Sequence, residues 1–195
     1  MKTFGIIVFL VLALAVVDTT AQNAIGNNGL NGPKKEYYSN GKVSKEYILE
    51  NGQPKGIYKT YSEKGFLVAE QNLVDGVQQG IQKTFFESGQ IESETNYEKG
   101  VPQGMKKEYY QNGPLKSESN LTGEPWEYSG YTNLFYENGS RMRETKVAKG
   151  KLVISISYDK QGRVTNEETD GHSTSYWYEE GTEKKHVIID GKPQD

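Results

Sequence analysis

Glycine recurs in this chain at a fixed spacing, and that period limits the fold more than any other feature. Gly41, Gly65, Gly89 and Gly113 stand 24 residues apart. Gly32, Gly56, Gly80 and Gly104 repeat with the same period, as do Gly52, Gly76 and Gly100. Other columns keep the phase. Tyr37, Tyr61, Phe85 and Tyr109 precede the first glycine set; Val43, Leu67, Ile91 and Leu115 follow it. Glu46, Glu70, Glu94 and Glu118 come next, then Leu49, Leu73, Tyr97 and Leu121, while Lys35, Lys59, Lys83 and Lys107 lie upstream. Self-similarity at this length is the mark of a repeat array, in which each unit needs its neighbours to hide its apolar side chains.

The unit reads as a β-hairpin. It lacks a helical period, and its apolar residues are aromatic, β-branched or leucine between frequent glycines. Residues 34–38 form one strand, Ser39-Asn40-Gly41 a three-residue turn with glycine in the left-handed position, and residues 42–49 the return strand. Such a loop pairs Tyr38 with Lys42 and Tyr37 with Val43, and likewise Tyr61 with Leu67, Phe85 with Ile91 and Tyr109 with Leu115. A two-residue loop would send the aromatic and aliphatic columns to opposite faces. One hairpin cannot stand alone: ordering costs about 1–2 kcal/mol per residue, more than three apolar side chains at about 2–3 kcal/mol each recover. The expectation is therefore an all-β, elongated antiparallel meander of stacked hairpins, with about 12–14 strands and little globular core.

The array is regular from residue 32 to about 122 and irregular from there to 195. An insertion around Gly123-Glu124-Pro125-Trp126 precedes a fifth unit at Phe135, Gly139, Glu144 and Val147. A shortened sixth unit has Tyr158, Gly162, Val164 and Glu167. A seventh is suggested by Trp177 and Gly181, with His186 at the place of the glutamate.

Ahead of the array, Met1-Lys2 is followed by an almost wholly apolar run from Phe4 to Val17 and by Thr19-Thr20-Ala21. This is the layout of a secretory signal peptide, residues 1–21, cut after Ala21. The run falls short of the roughly 18–20 residues of a membrane span, and the mature chain has no integral membrane segment. Residues 22–31 form an N-terminal extension. The expected location is secreted or periplasmic.

Units such as residues 56–66 (Gly-Ile-Tyr-Lys-Thr-Tyr-Ser-Glu-Lys-Gly-Phe) and 104–114 (Gly-Met-Lys-Lys-Glu-Tyr-Tyr-Gln-Asn-Gly-Pro) resemble the MORN repeat variant. This is the bacterial form of the membrane occupation and recognition nexus repeat. The resemblance spans about residues 32–170 and more weakly 171–192. It implies a β-hairpin array without catalytic residues, in a group often linked to an antitoxin role in toxin–antitoxin systems. An export signal sets this chain apart from a cytoplasmic antitoxin.

Composition narrows the chemistry. The chain has no cysteine, two histidines and a formal charge of −3, which excludes disulfides and thiolate sites and argues against nucleic acid as a partner. The same charge, with no basic cluster, fits poorly with a lipid-binding role. His172 and His186 lack ligand spacing, and Ser173 sits in no nucleophile motif. No catalytic, metal or cofactor site is expected, and the protein is not expected to be an enzyme. Asp75-Gly76, Asp170-Gly171 and Asp190-Gly191 read as turns. Asn120 and Asn138 open glycosylation sequons.

Alternation turns Tyr38, Phe86, Tyr110, Tyr136 and Tyr178 away from the packing aromatics. The same face is expected to carry the glutamates and asparagines, including Glu94, Glu118, Asn96 and Asn120. Rings beside carboxylates and amides suit peptides or glycans. The leading expectation is an exported, non-catalytic scaffold for protein–protein interaction, immunity- or antitoxin-like in one version. The alternative is a glycan- or cell-wall-binding module using the tyrosine-rich face.

Overall fold

The computed structural model describes residues 30–123, 127–170, 172–179, 182–189 and 192–194. The apolar run and the cleavage site expected after Ala21 lie outside the described residues, as do Glu124, Pro125 and Trp126 of the insertion.

All described secondary structure is β. The first unit pairs β1 (Gly32–Tyr37) with β2 (Val43–Glu50), and the second pairs β3 (Gln53–Tyr61) with β4 (Leu67–Val74). In the third, β5 (Val77–Gln78) and β6 (Gly80–Phe85) are two pieces of one strand beside β4, and β6 pairs with β7 (Ile91–Glu98). Then come β8 (Val101–Tyr109) with β9 (Leu115–Thr122), and β10 (Ser129–Phe135) with β11 (Arg141–Ala148). Last are β12 (Lys151–Tyr158) with β13 (Val164–Thr169), and β14 (His172–Glu179) with β15 (Thr182–Ile189) and β16 (Lys192–Gln194). Every pairing is antiparallel, and strand order follows chain order in one open meander. The count exceeds the expected 12–14, because the seven hairpins are followed by β16.

Two turn types alternate along the chain. At the first, Gly41 N donates to Tyr38 O at 3.0 Å and Tyr38 N to Lys42 O at 2.8 Å, with Gly41 at φ +80°. This is the three-residue turn expected from sequence, and it sets Tyr37 opposite Val43. Tyr61–Leu67, Phe85–Ile91 and Tyr109–Leu115 pair in the same way. The second type is a two-residue loop, such as Asn51-Gly52 or Asp75-Gly76, with both residues at positive φ. That backbone matches the right-handed twist of the flanking strands.

The seventh hairpin breaks this pattern. Glu179 pairs with Thr182 and Trp177 with Lys184, so the loop holds two residues rather than three. The shorter loop offsets the missing bulge, so His186 pairs with Ser175, two positions before Trp177, as Glu46 pairs with Lys35 two positions before Tyr37; Glu167 meets Thr174 across the preceding loop.

The sheet is one layer thick. Among the described side chains only Leu73 is buried, at 7% exposure. Its column explains the glycine column 32/56/80/104: Gly32 pairs with Leu49, Gly56 with Leu73, Gly80 with Tyr97 and Gly104 with Leu121. Each bulky apolar side chain thus lies across from a residue with no Cβ.

Cohesion comes from contacts between units. Gly52 N donates to Leu30 O at 2.7 Å, Gly76 N to Pro54 O at 2.9 Å, and Gly100 N to Gln78 O at 2.9 Å. Asn51 N donates to Asn31 Oδ1 at 2.6 Å, so Leu30 and Asn31 already take part in the array. At the opposite margin, Asn40 Nδ2 donates to Glu63 O at 3.0 Å and Lys42 Nζ to Lys64 O at 2.7 Å. These turns are satisfied by the next or preceding unit, which is the nearest-neighbour logic of a repeat array.

Candidate recognition face

Within each of the first six hairpins the register carries an irregularity that decides where side chains point. Glu36 pairs with Lys45 while Tyr37 pairs with Val43, so Ser44 is an extra, bulged residue. Val68, Glu92, Lys116, Met142 and Thr165 occupy the same place in later units. Side chains alternate along a strand, and each bulge reverses the phase once. Glu46 therefore pairs with Lys35 and lies on the face of Tyr37, not on that of Tyr38.

The correction applies to the whole candidate set. Glu94, Glu118, Asn96 and Asn120 share the face of the Tyr37 column; Tyr38, Phe86, Tyr110 and Tyr136 belong to the opposite one. The tyrosine–carboxylate–amide surface expected from sequence is split in two. The hydroxyls of this tyrosine column also bridge units: Tyr38 donates to Tyr61 O at 2.6 Å, Tyr110 to Phe135 O at 2.7 Å and Tyr136 to Tyr158 O at 2.9 Å. Phe86 offers no hydroxyl and lines a shallow depression with Thr84, Ser93, Lys106 and Glu108. Tyr178 lies in β14 without a described side chain. Asn96 Nδ2 closes the gap beside Gly104 by donating to Gln103 O at 3.0 Å, and Asn72 does the same to Gln79 O at 3.2 Å. Asn138 caps its own turn, its Oδ1 accepting from Ser140 N at 3.0 Å.

On the first face, one row crosses the sheet in unbroken register. Lys35 pairs with Glu46, Glu46 with Lys59, Lys59 with Glu70, and Glu70 with Lys83. Lys83 then pairs with Glu94, Glu94 with Lys107, and Lys107 with Glu118. Eight consecutive strands thus present strictly alternating charge. Beyond Glu118 the lysine positions hold Asn133 and Ile156, while Glu144 and Glu167 persist.

Within hairpins, Lys35 Nζ lies 2.5 Å from Glu46, Lys59 Nζ 3.6 Å from Glu70 and Lys83 Nζ 3.7 Å from Glu94. Between hairpins a phenol bridges the gap. Tyr61 donates to Glu46 at 2.7 Å, Tyr109 to Glu94 at 2.9 Å and Tyr158 to Glu144 at 2.5 Å. Phe85 stands at the corresponding place for Glu70. Beyond the insertion, Asn133 Nδ2 donates to Glu118 at 3.0 Å. Burial, then the hydrogen bond to Glu46, then its charge, push the Tyr61 phenol up to about 12. Tyr109 and Tyr158 are raised by the same influences in the same order. Glu46 is held below the usual carboxylate value, first by Lys35 and then by Tyr61. These half-exposed ion pairs add little stability individually; they fix register and present a charge pattern.

Beside the charge row runs an apolar stripe. Ile48, Ile57, Ile81 and Met105 are 52%, 49%, 56% and 36% exposed, with Asn72 opposite Ile57, Asn96 opposite Ile81 and Asn120 opposite Met105. Stripe and row together line three shallow depressions. One involves Lys35, Glu46, Ile48, Ile57, Lys59 and Glu70; another Ile81, Glu94, Asn96, Met105 and Lys107; the third Glu118, Tyr131, Asn133, Glu144, Lys146 and Ile154. The lysines and glutamates stand in sequence columns, whereas the isoleucines were not singled out from sequence; the bulge is what places them on one face. Among the described residues no cluster of metal-binding side chains occurs.

Fold and surface define a single-layer β-repeat protein with one charged and apolar face. The MORN repeat variant family matches residues 30–51 and 78–99, which are the first and third units. Among curated proteins none is similar enough to match. Among solved structures, a porin-like protein from Bacteroides uniformis aligns over 80% of this chain and 87% of that chain. Its identity is 9% and its TM-score 0.26, a likeness that carries no inference.

Proposed function

We propose that this protein is an exported, non-catalytic repeat scaffold that recognises another polypeptide through the lysine–glutamate face. The reading rests on the stripe of Ile48, Ile57, Ile81 and Met105, from about a third to over half exposed beside alternating charges. Aliphatic surface left in water in a periodic row marks an interaction site. Alternating lysine and glutamate suits a polypeptide better than a glycan, which needs free aromatic faces and hydrogen-bonding rims. The tyrosines that would serve a glycan lie on the other side, with Tyr38, Tyr110 and Tyr136 committed to neighbouring backbone. The MORN-variant repeat is a non-enzymatic scaffold, and the leader of residues 1–21 supports action outside the cytoplasm. Neutralising a toxin by sheltering or blocking it is one role such a surface suits.

The test immobilises three forms of the protein and exposes them to extract of the source cell. Wild type and Gln71→Lys, altered on the opposite face, should retain the same stoichiometric protein; Ile57→Lys/Ile81→Lys should lose it. Equal retention by all three, or loss with Gln71→Lys alone, would overturn the reading.

A further inference from the structure

The charge row has a symmetry property that selects an occupant. It contains eight alternating members, from Lys35 to Glu118. An even alternating row, reversed and laid on itself, sets every positive charge against a negative one. We infer that the charged face docks on the same face of a second copy, about a twofold axis parallel to the strands between β4 and β6. This inference rests on the recognition face proposed above and names its partner.

Two in-plane twofold axes lay the charge row back on itself, one along the row and one along the strands. An axis along the row would stack Lys35 on Lys35 and Glu46 on Glu46, which like-charge repulsion forbids. An axis along the strands opposes Lys35 to Glu118, Lys59 to Glu94 and Glu70 to Lys83. The same operation keeps each residue row at its own height. The apolar stripe then meets its own image, with Ile57 of one copy opposite Asn96 of the other and Ile81 opposite Asn72. The isoleucines interdigitate rather than collide. The asparagine amides already donate to Gln79 O and Gln103 O, so covering them costs little. In the third row Tyr61 faces Ile91 and Leu67 faces Phe85, aromatic on aliphatic each time.

Size and twist agree with this packing. Eight strands at about 4.8 Å and three residue rows at about 7 Å give roughly 800 Å² per copy, the area of a standard stable interface. Two twisted sheets pack face to face with strands nearly aligned, which is what an axis along the strands produces. Next to the axis stands Glu70, the glutamate whose tyrosine position is taken by Phe85. It is paired with Lys59 at 3.6 Å.

Complementary charge reversal tests the arrangement by sedimentation equilibrium on the purified protein. Wild type should dimerise. Glu70→Lys alone sets like charges together twice across the axis, as does Lys83→Glu alone, and each should weaken dimerisation roughly tenfold or more. An equimolar mixture of the two variants restores opposite charges at both places and should dimerise nearly as tightly as wild type. Local damage to either chain cannot produce that rescue. A monomeric wild type, undiminished dimerisation of both variants, or a mixture no tighter than its components would overturn the inference. A monomer that still captures another protein through Ile57 and Ile81 would leave the recognition face standing with a different partner.

Discussion

The Tyr61 hydroxyl donates to the Glu46 carboxylate at 2.7 Å, joining one hairpin to the carboxylate of the hairpin before it. A sheet without a second layer depends on such links, because among its described side chains only Leu73 is buried. The link is also a titration device. The phenol is pushed up to about 12 from an ordinary 10.0, so folding favours its protonated form. Its stabilising effect is complete below pH 10 and is lost as pH rises toward 12. Glu46 is shifted downward from 4.5, so its effect is present above pH 4.5 and is lost as pH falls through the lower, folded value. Ultraviolet titration should show tyrosines ionising well above pH 10. Glu46→Gln should lower the Tyr61 midpoint only in part, because burial is the largest cause of the shift. A return to 10.0 would show the carboxylate to be the whole cause.

The second expectation concerns the tyrosines of the opposite face. Tyr110 donates to Phe135 O at 2.7 Å, across the insertion between the fourth and fifth units. Tyr110→Phe keeps the ring and removes the bond, and should cost about 1 kcal/mol. Urea melts of the variant and wild type measure it. An unchanged midpoint would show that the bridge does not contribute to stability.

Gly130 gives a sharper contrast in stability. A Cβ there would lie 1.9 Å from Asn120 O and 3.1 Å from Leu121 Cα, both backbone atoms that cannot step aside. Gly56 has φ +75° and open space around it. Gly56→Ala should cost about 1–2 kcal/mol through conformation alone, whereas Gly130→Ala should cost on the order of 3 kcal/mol or more. Similar losses for both would argue against the close approach of β9 and β10.

Much of this fold is legible in the sequence because its turns carry chemical marks. Gly41 and its repeats demand a left-handed residue, and the three-residue loop alone places Tyr37 opposite Val43. The lysines and glutamates of the site were legible too, since both recur at the repeat period; the exposed isoleucines were not singled out. The arrangement of these residues was not legible. The bulge falls on Ser44, Val68, Glu92, Lys116, Met142 and Thr165, six residue types with nothing in common. A bulged residue near the right-handed helical region accepts almost any side chain. One unmarked residue per hairpin therefore moved every glutamate to the other face.

Export has its own check. If residues 1–21 are a cleaved leader, the native protein begins at Gln22. Mass spectrometry of the N-terminal peptide from the native source should find Gln22 outside the cytoplasm. An intact Met1 in the cytosol would remove the export proposal and favour a cytoplasmic antitoxin role.

The central claim is that recognition uses the face of Lys59, Glu70 and Ile81 and leaves the other face free. The chain contains no cysteine, so single thiols report without background. Ile81 and Gln82 are neighbours on β6 that point to opposite faces. Thiol-labelling rates of Ile81→Cys and Gln82→Cys, measured in the dilute free protein and in its bound state, test the claim most directly. Labelling of Ile81→Cys should slow severalfold on binding, while that of Gln82→Cys should hold its rate. Protection of Gln82→Cys with Ile81→Cys unchanged would contradict the account.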